Sequence, residues 1–152
     1  MKQGIAYLPE DRKVDGIIGD LSVRDNIILA LQVMKGFFKP FTKAEANAFA
    51  DEYIKLLGIK TASADTPIKS LSGGNQQKCI LARWLLTHPE YLILDEPTRN
   101  FSPLSGPVIR DMLKGFGGAI LTISHDRKYI SEVADVVYEL TEEGLTLFEG
   151  EL

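Results

Sequence analysis

Short apolar runs alternate along this chain with longer stretches of helical periodicity. Gly4-Ile5-Ala6-Tyr7-Leu8 is a short run stopped by Pro9. Tyr91-Leu92-Ile93-Leu94 ends in two acids, Asp95 and Glu96. Ala119-Ile120-Leu121-Thr122-Ile123 leads into Ser124-His125-Asp126. Each run predicts a buried strand of a parallel sheet, because such strands lie covered on both faces and read as nearly continuous apolar text. Between them the spacing changes. Ser22 with Asp25 marks a helix start, and Val23, Ile27, Ala30, Leu31 and Met34 share one face. Thr42 with Glu45 opens a second helix with an inner stripe of Ala46, Phe49, Tyr53, Leu56 and Leu57, and Gly58 suits the position just past its end. The aromatic stretch Phe37-Phe38-Lys39-Pro40-Phe41 joins the two and is expected to pack under them. Residues 61–69 read as a polar loop. A third helix is predicted from about residue 75 to 87, stopping before Pro89.

The rest of the chain follows the same alternation. Ser102-Pro103 predicts a cap and first turn, with Leu104, Val108 and Met112 on the helix and Gly117-Gly118 ending it. Asp126 can cap a short helix bearing Tyr129, Ile130 and Val133. Residues 136–140 and 145–148 predict a hairpin joined by Thr141-Glu142-Glu143-Gly144. Strands alternating with helices give an α/β fold class.

Two stretches carry candidate chemistry. Leu71-Ser72-Gly73-Gly74-Asn75-Gln76-Gln77-Lys78 places a hydroxyl and two glycines at a helix start. Glycines allow close backbone approach to a ligand, and free N–H groups at a helix start attract anions. The run ending in Asp95-Glu96-Pro97-Thr98 delivers carboxylates to the C-terminal end of a parallel strand, where α/β sheets bind ligands. An Asp there suits a magnesium ion, and an adjacent Glu can orient a water. Either stretch alone could be a glycine turn or an acidic strand end. Their order, with Ser124-His125-Asp126 downstream, is more specific.

At these residues the chain resembles the ATP-binding cassette (ABC) family, over nearly its whole length. The resemblance implies a partial P-loop NTPase-like core with a helical subdomain. It assigns Ser72, Gly73, Gly74 and Gln76 to the signature motif that meets ATP, Asp95 to magnesium, Glu96 to the catalytic base and His125 to the switch that senses the γ-phosphate. Glu10 stands where the family places a Gln that touches magnesium and the membrane partner. The pattern Pro9-Glu10-Asp11-Arg12-Lys13, then Asp15-Gly16, resembles the second cassette of monosaccharide-importer ATPases. Such proteins cradle phosphate with G-x-x-x-x-G-K-[ST]. No Gly-Lys dipeptide occurs in the 152 residues. Ser102 stands where the family usually has an Asp that crosses the dimer interface.

The importer resemblance runs from residue 1 to about 98, and from about residue 95 onward the text resembles a second branch. NFSPLSGPVIRDML and GGAILTISHDRKYISEVADVVYELTEEGL look like the second cassette of the ABC-F proteins, which act at the ribosome. A chimera, natural or recombined, with its junction between Leu94 and Arg99 is therefore expected; the alternative is one divergent cassette that drifted toward both patterns.

Composition narrows this without changing it. Hydrophobic residues make up 45% and charged residues 25%, with a net charge of −4. A pI near 5.2 argues against a nucleic-acid binder, which would show a basic face. The single Cys79 excludes an internal disulfide, fits a reducing compartment, and reads as a small apolar residue on a helix face. Trp84 reads as core and His88 as a solvated helix end. No apolar run is long enough to cross a bilayer, so a membrane role must come through a partner.

The expectation is thus a cytoplasmic cassette piece, peripheral to the inner membrane through a permease. Residues 1–18 and 89–152 would form the α/β core and 19–88 the helical subdomain that meets the permease. The implied cofactors are ATP and Mg2+. The implied partners are another cassette and the permease, with the ribosome the weaker choice. Little ATPase activity is expected from the chain alone. A non-catalytic module that offers its signature to another cassette, or a recombined chain without evolved function, are the alternatives. Finally, strand 119–123 should either present an unpaired edge or recruit residues 136–140.

Overall fold

The computed structural model describes residues 4–9, 16–36, 38–99, 101–103 and 105–150. Three strands, β1 (Ile5–Leu8), β2 (Tyr91–Asp95) and β3 (Ala119–Ile123), form a parallel sheet in the order β1-β2-β3. Ile5 pairs with Tyr91 and Tyr91 with Ala119, and the register runs without slip to Leu8–Leu94 and Asp95–Ile123. The C-terminal ends of β2 and β3 therefore lie side by side. That places Asp95, Glu96 and His125 at one rim of the sheet.

Helices α1 (Val23–Lys35), α2 (Lys43–Leu56) and α3 (Gly73–Leu85) separate β1 from β2. A 3-10 turn, Ile68–Ser70, precedes α3. Helix α4 (Ser105–Lys114) separates β2 from β3, and α5 (Arg127–Val133) follows β3. The caps are local and follow the sequence. Ser22 accepts from the Asp25 amide, Thr42 and Glu45 form a reciprocal capping box, and Asp126 accepts from the Tyr129 amide. At the end of α2, the Ile59 amide reaches the Ile54 carbonyl at 2.9 Å and Gly58 adopts φ +56. Only a residue without a Cβ takes that left-handed turn freely.

One buried cluster joins these pieces. It holds Val23 and Ile27 of α1, Ala50 of α2, Leu57, Ile80 and Leu81 of α3, Leu92 and Leu94 of β2, Ile109 and Leu113 of α4, and Tyr129 of α5. Several stripes differ from their sequence expectation. Met34 and Leu56 sit at helix ends beyond the core and are about half exposed, while Ala50 takes the inward place beside Ala46 and Tyr53. Helix α4 begins at Ser105, after a turn in which the Ser105 and Gly106 amides bond the Ser102 carbonyl. That turn rotates the inner face to Ile109 and Leu113, leaving Val108 exposed. Leu104 lies outside the described residues, as does Phe37. Phe41 packs edge-on to Phe49 with centroids 5.4 Å apart, but Phe38 is 95% exposed. The loop 61–69 is not wholly polar in its packing, because Ile68 is fully buried. Helix α3 starts two residues earlier than expected, so both signature glycines lie in its first turn.

The main departure concerns the sheet. Ala6, Leu8, Leu92 and Leu94 are buried on one face. On the other, Ile5, Tyr7, Tyr91, Leu121 and Ile123 are 44–67% exposed. The strands are thus covered on one face only, because the described helices pack against that face alone. β3 pairs only with β2 among the described residues, while β4 (Tyr138–Thr141) and β5 (Gly144–Leu147) pair with each other in an antiparallel hairpin. Of the two outcomes expected for strand 119–123, the described residues show the unpaired edge, with residues 138–141 paired elsewhere.

Candidate functional site at the sheet rim

Asp95 ends β2 and is half-buried opposite Ile123. Glu96 leaves the strand with φ +45, a left-handed conformation that costs a non-glycine residue about 1–3 kcal/mol. The loops after β2 and β3 hold it there. The Glu96 amide donates to the Ile123 carbonyl at 2.9 Å. The Glu96 carboxylate accepts the His125 amide at 2.9 Å through Oε1, and the Ser124 hydroxyl stands 3.5 Å from Oε2. The His125 ring is 96% exposed, with Nε2 3.9 Å from Glu96 Oε1.

Beside this pair the Thr98 hydroxyl donates to Asp126 Oδ2 at 2.9 Å. The Tyr129 amide donates to Asp126 Oδ1 at 3.1 Å, and the Asp126 amide to the Ser124 hydroxyl at 3.1 Å. Burial pushes the Asp126 carboxyl upward, but the Tyr129 amide and the Thr98 hydroxyl outweigh it and hold the group below its usual range. Glu96, Thr98, Arg99, His125 and Asp126 line an open cavity of about 450 Å3. This hollow presents carboxylates, a hydroxyl, an imidazole and a guanidinium at the end of a parallel sheet. It can seat a polar ligand and offer it a proton acceptor.

The signature stretch forms a second group of residues. Ser72 is exposed and stands at the N-cap of α3 without capping a backbone amide. Its hydroxyl instead accepts the Asn75 side chain at 2.9 Å, and Asn75 in turn accepts the Lys60 amide at 2.9 Å. The first-turn amides of Gly73 and Gly74 lie beyond the reach of the helix ladder. Gln76 is turned inward: it is 6% exposed and its amide donates to the Leu71 carbonyl at 3.1 Å and the Ile68 carbonyl at 3.2 Å. The signature stands at the start of α3, whereas the rim residues stand in the loops that follow β2 and β3. Glu10 lies outside the described residues.

Magnesium fits the rim by the chemistry of its donors. Asp95 makes no side-chain hydrogen bond to a described residue. No group of three or more His, Cys, Asp or Glu among the described residues forms a protein-only cage. Magnesium is commonly held by one or two carboxylates together with water and substrate phosphates.

The profile of the ABC transporter family matches residues 1–99. The chain belongs to the ABC transporter family. It is 49% identical over 137 residues to the galactofuranose transporter ATP-binding protein YtfR of Escherichia coli K12, covering 88% of this chain and 27% of that protein. It is 46% identical over 138 residues to the fructose import ATP-binding protein FruK of Bifidobacterium longum, covering 89% of this chain and 27% of that one. The ribose import ATP-binding protein RbsA of Clostridium tetani aligns with 100% of this chain at 41% identity, over 30% of its own length. The cassette described here thus spans less than a third of these relatives. Among solved structures, the dimeric post-hydrolysis state of the ATP-binding cassette MJ0796 bound to ADP and Pi superposes with a TM-score of 0.69. That match has 23% identity and covers 84% of this chain and 54% of that one. The fold is the α/β cassette NTPase fold.

Asp95, Glu96 and His125 lie together at the rim, but three contributors to this architecture had no motif to mark them. The Thr98–Asp126 bond joins residues 28 apart and depends on strand register. Arg83, on α3, is buried and donates to the Asn26 and Gly16 carbonyls at 2.7 and 2.6 Å. Lys78 is buried and donates to the Gly58 carbonyl at the end of α2 at 3.0 Å. The only sequence signal was the presence of charged residues on an otherwise inward face of α3.

Proposed function

We propose that this chain is the later part of a sugar importer's ATP-binding cassette and that its sheet rim acts on the γ-phosphate side of ATP. The observation that carries the reading is the position of Glu96. It sits at the C-terminal end of a parallel strand, its carboxylate open to a cavity shared with His125, in a chain 49% identical to a transporter ATP-binding protein. Asp95 would hold Mg2+, whose charge would offset that of the phosphates. Glu96 accepts a proton from the attacking water, and His125, on its exposed stem, contacts the phosphate. Ser72, Gly73 and Gly74 offer a hydroxyl and free amides to the nucleotide held by a facing cassette. The helical part, residues 19–88, meets a membrane permease, which puts the cassette at the cytoplasmic face of the membrane. None of the described helices is itself long and apolar enough to cross it. The solute belongs to the monosaccharide class.

The chain alone binds ATP weakly, because it contains no Gly-Lys dipeptide with which a G-x-x-x-x-G-K-[ST] loop would cradle the phosphates. Titration of Mg-ATP into the 152-residue protein by calorimetry tests this. Weak or absent heat is expected; tight one-site binding would overturn it. A second reading, a module that lends its signature to a complete cassette in trans, is favoured by the exposed Ser72 hydroxyl that caps no backbone amide. An ABC-F-type tail after Leu94–Arg99 rests on the text of residues 100–152. The relative aligned over the whole chain favours one uninterrupted importer-type cassette instead.

A further inference from the structure

We propose that Asp126 is a positioning residue for Glu96, acting through Thr98 as the fixed end of a clasp between the two rim loops. The proposal deepens the reading of Glu96 as proton acceptor, and what the clasp is for rests on that reading.

Glu96 holds a left-handed backbone that it would not keep unaided. Such conformations persist where the surroundings over-determine them. The direct supports all act at Glu96 itself: its amide donates to the Ile123 carbonyl at 2.9 Å, and its carboxylate accepts the His125 amide at 2.9 Å with the Ser124 hydroxyl 3.5 Å away. None of them reaches further along the first loop. The Thr98–Asp126 bond does, two residues further along the first loop and one along the second. A second point of attachment stops the loops from rotating about the contacts at Glu96.

Asp126 is suited to be the fixed end. Its other oxygen caps α5 by accepting the Tyr129 amide. Tyr129 is fully buried, and its hydroxyl donates to Thr122 at 3.2 Å. Further along α5, Glu132 pairs with buried Arg110 of α4 at 2.8 Å. The carboxylate is thus carried by an element tied to the core, while Thr98 lies in a turn. The direction of support runs from α5 to Asp126, Thr98 and Glu96. A group that orients a reacting side chain must itself be locked by packing and hydrogen bonds, and Asp126 meets that condition.

The test is amide spectroscopy and hydrogen exchange on the 15N-labelled 152-residue protein. Thr98→Val keeps the shape and removes the hydroxyl. It should move the His125 and Glu96 amide resonances and speed their exchange by about tenfold relative to core amides such as Leu92 and Leu94. Thr98→Ser should restore both. Asp126→Ser keeps a good N-cap but is too short to reach Thr98, and should reproduce the Thr98→Val pattern. It serves as the second variant if Thr98→Val fails to fold. Unchanged rim amides in either folded variant, or acceleration spread equally over the core, would overturn the proposal. The readout needs no nucleotide. If the clasp holds while Glu96→Gln leaves turnover intact in a completed cassette, the base reading alone fails.

Discussion

The guanidinium of Arg83 is buried, and it finds carbonyl oxygens rather than a carboxylate among the described residues. It donates to Asn26 O, Gly16 O and Asn26 Oδ1 within 3.0 Å. Arg83→Met would remove all three bonds, leaving Asn26 Oδ1 with only the Ile18 amide among the described residues, and is expected to cost on the order of 3 kcal/mol in urea denaturation. An unchanged midpoint would show that water reaches the site. Cys79 lies one turn away and is buried, which pushes its thiol up to about 12. Asp126 behaves in the opposite sense, with its folded value below the unfolded one. Its contribution is therefore fully present above the usual carboxylate range and is lost as pH falls through the folded value. The stability gap between wild type and Asp126→Ser should be wide at neutral pH and narrow as pH falls below the usual carboxylate range. A gap independent of pH would contradict the ionised role.

At the scale of elements, caps were the most legible feature, because a cap is settled within four residues. Ser22, Thr42 and Asp126 each accept the amide expected of them. Ser22→Ala should lower stability by about 1 kcal/mol in a thermal or urea melt. No loss would mean that the packing of α1 against the core fixes its start without help. Stripes were less legible. In α4 the turn at residues 102–105 delays the helix and rotates its inner face, a shift that residue spacing cannot report. The rim was half legible for the same reason. Asp95 and Glu96 are adjacent in sequence, whereas the Thr98–Asp126 contact follows from Asp95–Ile123 register.

For the whole molecule, the strands were legible but their covering was not. Ile5-Ala6-Tyr7-Leu8 is apolar on both sides, the imprint of a sheet meant to be covered twice. Among the described residues one face and the β3 edge are bare, and residues 119–123 carry no charge to discourage pairing. Concentration-dependent self-association is expected in sedimentation velocity. Leu121→Lys, on the exposed face, should reduce it while the protein stays folded. Ile120→Lys, which packs against the core, should unfold the chain. A monomer at high concentration would refute the association.

Whether the rim of this sheet works on ATP is decided by joining a cassette N-terminal segment with a phosphate-binding loop to this chain and measuring ATP binding and turnover with and without Glu96→Gln. Gln keeps the shape of Glu but cannot take the water's proton. The joined protein is expected to bind Mg-ATP, and Glu96→Gln to retain the nucleotide while turnover falls by roughly 100-fold or more. Undiminished turnover in Glu96→Gln would show that the rim carboxylate does not serve as the base.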